Sequence, residues 1–542
     1  MKVGSNLKKK IKRILIPIIG ILCFSNVSVE AGSKTLIAGK SIQQSILGLQ
    51  PGDTLFVRSG DYHETLSFPQ GGVDGQPIVI SAFPGDHPVL FSTGTGPIIL
   101  GEDYLVMDGL ILDQNGASED AIRIRGNYNT IKNCEIRNGK RDAIEINSGT
   151  GNRIENNVIH NFVWQPGKDA HGIVTDPGVV DLTIIGNTIY DCGGDCIQLY
   201  ASGSDPVSSY SRDIDIIDNV LYTTLGSSSE NALDFKGVDG GIVAGNDMYG
   251  FDDKAVVVQK GCRNLLFEFN TIHDSERGME FRGENGKSQE NMIVRNNAIY
   301  NIRQYYGVKF DWVDNVTFIN NTLAFINTRA FLIEEEGLTN SVILNNIIYQ
   351  ADDPKVDGTF DVEVGHNGWF QADAASFAAA SDVVGQNPGF MAANSFDFQL
   401  ISGSPVIDKG QNVGLVFTGN APDLGAFEFG VTAAVSENLL AEINPPMEFT
   451  LQQNWPNPFS TAQSHVTRIP VEIHTANDFS ISIYNVLGQT VKQIFKGELV
   501  QGNHEIQWDG RNQFGQRTSP GVYYYEIRSN KQRVVKSLIL LN

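Results

Sequence analysis

The sequence predicts an all-β protein: a parallel β-helix, with the right-handed coil expected of such solenoids, followed by a separate C-terminal β-sandwich. Three observations carry that reading. The tag Asn-x-(Ile/Leu/Met) recurs at Asn157, Asn187, Asn219, Asn246, Asn270, Asn297, Asn321 and Asn346, with Cys134 in the equivalent slot of an earlier coil. Its spacings run from 23 to 32 residues, room for three short strands and three turns per coil. Asparagine suits the slot because it tolerates left-handed turns and stacks into a hydrogen-bonded ladder. Between the tags lie short segments that alternate with period 2. Beyond the repeat, the last 95 residues switch to alternating strands with Pro/Gly turns.

Residues 1–31 read as an export signal. Lys8, Lys9, Lys10, Lys12 and Arg13 precede the apolar run Ile14 to Phe24, and Val29-Glu30-Ala31 fits a small-residue cleavage site. That run is too short to span a bilayer, and no later stretch reaches the length of a transmembrane helix. Residues 32–100 read as a β-rich N-terminal cap and the first coils, with a short helix within Ser41 to Leu49 and strands at Thr54 to Val57 and Pro77 to Phe83. A solenoid needs such a plug, because its first coil otherwise exposes core and strand edges. Residues 101–350 are the coils. The longest of them insert Trp164 to Lys168 and Ala201 to Pro206, loops placed to wall a groove. Residues 351–430 lose the repeat and read as the second cap, 431–447 as a linker, and 448–542 as the sandwich.

The net charge is −22, and removal of the first 31 residues, with six Lys/Arg and one Glu, deepens it to −27. This argues against sequence-independent nucleic-acid binding, which needs basic patches. It does not exclude a polyanionic substrate, since a site can be locally basic within an acidic shell. Of the four cysteines after residue 31, Cys192 and Cys196 are a candidate disulfide pair, and Cys134 and Cys262 read as buried apolar residues.

The chemistry gathers between Asp195 and Arg282. Asp195-Cys196-Ile197-Gln198-Leu199-Tyr200, Asn231-Ala232-Leu233-Asp234-Phe235-Lys236, Lys254-Ala255-Val256-Val257-Val258-Gln259 and Arg277-Gly278-Met279-Glu280-Phe281-Arg282 each point their third and fifth residues into a core. Stacked, they predict one outward column of Gln198, Asp234, Val257 and Glu280, and another of Tyr200, Lys236, Gln259 and Arg282. Two coils separate Lys236 from Arg282, roughly 10 Å, and Lys260 leans between them. Three cations so placed are expected to lower one another's pKa, as a lysine base requires. Cleavage of a uronate polymer by β-elimination asks for a neutralised C5 carboxylate, a base for the C5 proton and an acid for the leaving oxygen. Lys236, Lys260 and Arg282 are the catalytic candidates. His171, Gln198, Tyr200 and Glu280 are candidate substrate contacts, Tyr200 as an acid or a stacking platform. Asp195, Glu230 and Asp234 are candidate ligands for a calcium ion or partners for the lysines.

Lys260 followed by Gly278-Met279-Glu280-Phe281-Arg282-Gly283, together with the cap and repeat, resembles the chondroitinase-B/alginate-lyase family of β-helix polysaccharide lyases. The resemblance implies Lys260 as base and Arg282 as acid. It departs at Asp252-Asp253-Lys254-Ala255, where the family carries acidic calcium ligands before the lysine. The Ser229 to Lys236 coil resembles a segment common in secreted β-helix proteins, which makes Lys236 an equal candidate for the base. In the last domain, Leu451 to Phe459, Val486-Leu487-Gly488-Gln489, Trp508-Asp509-Gly510 and Pro520-Gly521-Val522-Tyr523-Tyr524-Tyr525 resemble the type A sorting domain of type IX secretion substrates. That implies an immunoglobulin-like fold, recognition by the type IX machinery, and release or display at the outer-membrane surface. It makes Trp508-Asp509-Gly510 packing and turn chemistry.

The expectation is therefore a monomeric, exported lyase acting on an acidic polysaccharide. Its rivals are a non-catalytic glycan-binding solenoid or adhesin, a uronate epimerase and a glycoside hydrolase. The hydrolase lacks a Gly-His-Gly loop and paired aspartates on this face, and the adhesin lacks an aromatic stripe in the sequence pattern.

Overall fold

In the computed structural model the described residues are 32–36, 39–163, 169–284, 286–374, 377–430, 449–451, 454, 459–460, 466–473, 476–485, 490–519, 521–529 and 533–541. The export signal, the Trp164 to Lys168 loop, the linker and the Val486 to Gln489 turn lie outside them. The chain separates into two compact units, one ending at Phe429 and one beginning at Gly430.

The first unit is the β-helix. One face is a 14-stranded parallel sheet running from Ser33–Leu36 to Phe360–Gly365. The other two faces merge into a single 24-stranded sheet because one long strand, Thr322–Ile333, contributes to both. The first coils lie within residues 32–100: Ser33–Leu36, Thr54–Val57 and Ile78–Ala82 already pair in parallel with one another. The short helix is there as Ile42–Ile46, N-capped by the Ser41 side chain, and Glu64 accepts from its first backbone N–H groups.

Strand register follows from the apolar pattern, because a one-residue slip would turn each strand's core residues to solvent. Ile144, Ile173, Ile197, Leu233, Val256, Met279 and Val308 therefore stack in one buried column. A run of phenylalanines (Phe235, Phe267, Phe281, Phe310, Phe318, Phe331) fills the same core with ring centroids 5.3–6.1 Å apart. The asparagine ladder is continuous. Asn157 N–H donates to Asn187 Oδ1 at 2.9 Å, and each tag repeats the bond to the next as far as Asn346. Cys134 N–H joins it by donating to Asn157 Oδ1.

The ladder also runs one coil past residue 350: Asn346 N–H donates to Asn367 Oδ1 at 2.9 Å, and Phe360–Gly365 and Gly368–Phe370 still pair with the coils. The sequence hid this rung because Trp369 follows the Gly after the tag where an Ile or Leu is usual. Closure comes later. Phe398, Leu400, Val406 and Leu424 pack onto Ala324, Ile347 and Tyr349, and Gly425 N–H donates to Asn345 O. The candidate disulfide is not formed: Cys192 and Cys196, like Cys134 and Cys262, are free and buried.

The second unit is the predicted sandwich, with sheets of three and five strands. Phe449, Phe459, Ile469, Trp508 and Tyr525 lie in its core. Trp508 Nε1 donates to Arg511 O, and Asp509 Oδ1 accepts from Arg511 N–H, so this triplet closes a turn.

Candidate functional site

Two outward columns form on the face built by Ile173–Thr175, Ile197–Leu199, Leu233–Lys236, Lys254–Gln259, Arg277–Arg282 and Tyr306–Asp311. The register aligns Gln198, Asp234, Val257, Glu280 and Lys309, and beside them Lys236, Gln259, Arg282 and Asp311. The predicted stacking of these residues is thus observed. Their exposure is not what outward pointing suggests. Gln198 (5%), Asp234 (3%) and Glu280 (4%) are buried under the longer side chains of the flanking column. Gln198 and Glu280 are therefore supports rather than substrate contacts. Gln198 Nε2 donates to Asp195 Oδ2 at 2.7 Å. Glu280 accepts from Tyr306 O–H at 2.7 Å, with Lys309 Nζ 3.5 Å and Arg282 Nη1 3.8 Å away.

The open part of the face is the column of Tyr200, Lys236 and Arg282 with Lys260 beside it. Tyr200 is 39% exposed, and two ammonium groups approach its ring, Lys236 Nζ at 5.9 Å and Lys260 Nζ at 5.5 Å from the centroid. One polar chain links Lys236 to Arg282. Lys236 Nζ pairs with Asp234 Oδ2 at 2.8 Å, Gln259 Nε2 donates to Asp234 Oδ1 at 2.7 Å, and Arg282 Nη2 donates to Gln259 Oε1 at 2.7 Å. The two lysines differ in their partners. Lys260 has no ion pair among the described residues, and its Nζ has only the Ala201 carbonyl at 3.4 Å. Burial lowers the Lys236 pKa, but the Asp234 carboxylate outweighs it, and the net shift is upward. The expected depression by neighbouring cations is therefore absent at Lys236, because a carboxylate stands closer than either cation.

Lys260 sits in the left-handed region, φ 62°, just after its strand. Tyr210, itself 1% exposed, donates its O–H to Lys260 O at 2.6 Å and accepts from Lys287 Nζ at 2.9 Å. Lys287 also donates to Asp205 O. The Ala201 to Tyr210 segment is thus fastened across two further coils, beside the lysines. A Cβ at Gly237 would stand 2.8 Å from the Tyr210 ring and one at Gly261 2.9 Å from Lys287, so both glycines are needed for this approach. Tyr210 and Lys287 escaped the sequence reading because their contacts span 50 and 77 residues. Lys309 was legible: Tyr306-Gly307-Val308-Lys309-Phe310-Asp311 repeats the pattern of the four segments before it.

At the opposite end of the strands lies an acidic cluster. His171 is buried, and its Nδ1 meets Asp142 Oδ1 at 2.8 Å while its backbone N–H donates to the same oxygen. His171 is thus not a surface contact for substrate. Its Nε2 has no hydrogen-bond partner and stands 3.8 Å from Asp195 Oδ2. Burial lowers the His171 pKa, but Asp142 and Asp195 more than offset it and raise the net value. Burial and the neighbouring Asp234 push Asp195 up to about 6. Partial enclosure, then Asp195 and Asp169, push Glu230 up to about 7. The three expected calcium ligands do not converge. Both Asp195 oxygens accept from Asn231 and Gln198, and Asp234 is taken by Lys236 and Gln259. Among the described residues no group of three or more His, Cys, Asp or Glu side chains is arranged to hold a metal. The donor set does not fit calcium.

An aromatic stripe, unread in the sequence, occupies a neighbouring face. His160, Tyr190, Tyr222, Tyr249, His273 and Tyr300 stack with centroids 4.8–5.0 Å apart and planes within 14° of parallel. Each ring from Tyr190 to His273 spends both faces on its neighbours, so its edges are what it turns to solvent.

Residues 91–231 and 231–371 match the right-handed beta helix region family. The chain belongs to this family. Residues 461–533 match the FlgD Ig-like domain. The chain is 25% identical over 328 residues to the uncharacterized protein YwoF of Bacillus subtilis (strain 168), a match covering 56% of this chain and 62% of that protein. The match thus spans less than two thirds of that relative's length. Among solved structures it is similar to pectate lyase Pel9A (16% identity, 74% of this chain and 98% of that one, TM-score 0.41). A mannuronic acid specific polysaccharide family 6 lyase from human gut microbiota is also similar (16%, 67% and 92%, TM-score 0.44). So is the A-module of the Azotobacter vinelandii mannuronan C-5 epimerase AlgE6 (17%, 55% and 93%, TM-score 0.40). At these identities the likeness is one of fold. No helix among the described residues is long and apolar enough to cross a membrane.

Proposed function

We propose that the charged face cleaves a uronate-containing polysaccharide by β-elimination. The observation that carries this reading is the pair of unlike lysines around an exposed tyrosine, with Arg282 tied to the same polar chain. Lys236 and Arg282 hold the uronate carboxylate, which makes the C5 proton easier to remove. Lys260, without a carboxylate partner among the described residues, takes that proton. The C5–H electron pair forms the C4–C5 double bond and the C4–O bond breaks. Tyr200 O–H returns a proton to the leaving oxygen. Arginine suits the carboxylate better than the acid's role, because a guanidinium does not give up its proton in proteins. Tyr210 and Lys287 position Lys260 through its carbonyl. No step is assigned to calcium.

Export is part of the same proposal. The basic and apolar N-terminus and the likeness of the final domain to type IX sorting domains fit a lyase released or displayed at the outer-membrane surface, where polysaccharide is met. The test is incubation of the full chain with alginate, pectate, chondroitin/dermatan, heparin and hyaluronan, following the ultraviolet absorbance of the unsaturated product. A rise lost in Lys260→Ala and kept, weakened, in Lys236→Ala supports the assignment. Equal loss in both would make Lys236 the base, and no rise on any polymer would sink the lyase reading.

A further inference from the structure

A cleft of about 740 Å³ opens at another corner of the solenoid, where the aromatic-ladder strands end, starting three coils along from Lys236. Its size falls within the range of ligand sites. Strand register explains its shape. Tyr300, Ala324, Tyr349 and Phe370 align from coil to coil, so the residues after them form one column: Asn301, Phe325, Gln350 and Gln371. All four take φ between 51° and 57°. Two positions on, Arg303, Asn327 and Asp352 line the other side, where the register shifts and brings Asp352 level with Arg329. Between the two sides Ile302, Ile326 and Ala351 are buried and make an apolar floor. The result is a groove parallel to the solenoid axis, about 14 Å long if coils rise ~4.8 Å.

The polar groups along it are largely unspent. The side chains of Gln350, Gln371 and Asp352 make no hydrogen bond or ion pair with described residues. Asn327 gives its Nδ2 to Arg303 O at 2.8 Å and Asn301 gives its Nδ2 to Asp274, which leaves both side-chain oxygens as acceptors. A carboxamide offers two donors and an acceptor, the set that satisfies paired hydroxyl groups. The charge balance argues against a polyanion. Arg303, the cation here, already pairs with Asp252, while the Asp352 carboxylate is unpaired. A lone carboxylate supplies no acid–base pair for chemistry.

We propose that this groove binds an uncharged, hydroxyl-rich oligosaccharide, its C–H faces on the aliphatic floor and its hydroxyls against the carboxamides of Asn301, Asn327, Gln350 and Gln371. The site is separate from the charged face and does not depend on the reaction assigned there. Calorimetric titration of the full chain with cello-, manno- and xylo-oligosaccharides and with oligouronates tests it. The expected result is that one neutral series binds, that Gln350→Ala/Asp352→Ala weakens it at least tenfold, and that Lys260→Ala leaves it unchanged. These two side chains lie at the partly open end of the strand Ile347–Asp352, and an unchanged melting temperature confirms that the variant is folded; Gln371→Ala serves as a second probe. Absence of neutral-sugar binding, binding indifferent to both groove variants, or loss of it in Lys260→Ala would each overturn the proposal.

Discussion

Two outward surfaces of this β-helix are made from the same coils yet end in opposite states. On the strands from Val158–Phe162 to Ala298–Ile302, like residues stack on like, and each aromatic ring meets a parallel neighbour. On the strands from Ile197–Leu199 to Tyr306–Asp311, unlike residues stack: an amide on an acid, a lysine above a glutamine, a glutamine above an arginine. Stacked rings satisfy one another and leave only edges. Stacked charges of different length satisfy one another unevenly, which buries Asp234 and Glu280 and leaves Lys260 without a carboxylate. A solenoid thus turns a periodic scaffold into a site by breaking the periodicity of what it displays.

The comparison is broken most directly at its two ends. Lys260→Ala should lower the rate of unsaturated-product formation about a hundred- to ten-thousand-fold, the usual range for a general base, with little change in melting temperature. Tyr222→Ala in the aromatic ladder should leave that rate within about twofold and cut stability by about 1–3 kcal/mol, from lost stacking and burial, measured by denaturant unfolding. A rate loss in the ladder variant would mean that the two surfaces are not independent.

Beneath both surfaces, Asn270→Ala should cost about 2–3 kcal/mol, because it strips partners from the Asn246 N–H and leaves buried groups unsatisfied. A loss confined to one surface would contradict a shared scaffold. Tyr210→Phe sharpens the charged side alone. Removing the hydrogen bond to Lys260 O should lower kcat about fivefold with KM unchanged, and Lys287→Met should reproduce part of that loss.

The smallest effect is electrostatic. Asp195 and Asp120, both near 6, and Glu230, near 7, have folded pKa values above their ordinary ones. The folded state therefore holds their protons more tightly than the unfolded chain. The stability this contributes is complete below about pH 4 and is lost as pH rises through 6 to 7. His171, also raised, acts in the same sense. Burial raises Asp142, but His171 brings it to a net lowering, so its contribution is lost only on acidification. The melting temperature of the wild type relative to Asp195→Asn should fall as pH rises from about 4 to 7. The opposite slope would mean that Asp195 is ionised throughout.

The sequence by itself determined the coil, the register and the columns. Period-2 alternation and the asparagine tag are local signals, and stacking identical units forces like positions above one another, so Lys236, Gln259 and Arg282 could be aligned without coordinates. The C-terminal sandwich was legible for the same reason, in contiguous motifs. What only the tertiary structure decided is cover and partnership. Gln198 and Glu280 point outward but are buried, because side-chain length in adjacent columns, rather than strand parity, sets exposure. Lys236 and Lys260 look alike in sequence, and only their placement pairs one with Asp234 and leaves the other free. The Tyr210–Lys287 fastening, the Asn367 rung and the groove over Ile302, Ile326 and Ala351 arise from contacts between coils far apart in the chain or from motifs that depart from the tag. Local pattern specifies where a solenoid's side chains start; what they meet depends on neighbours a coil or more away.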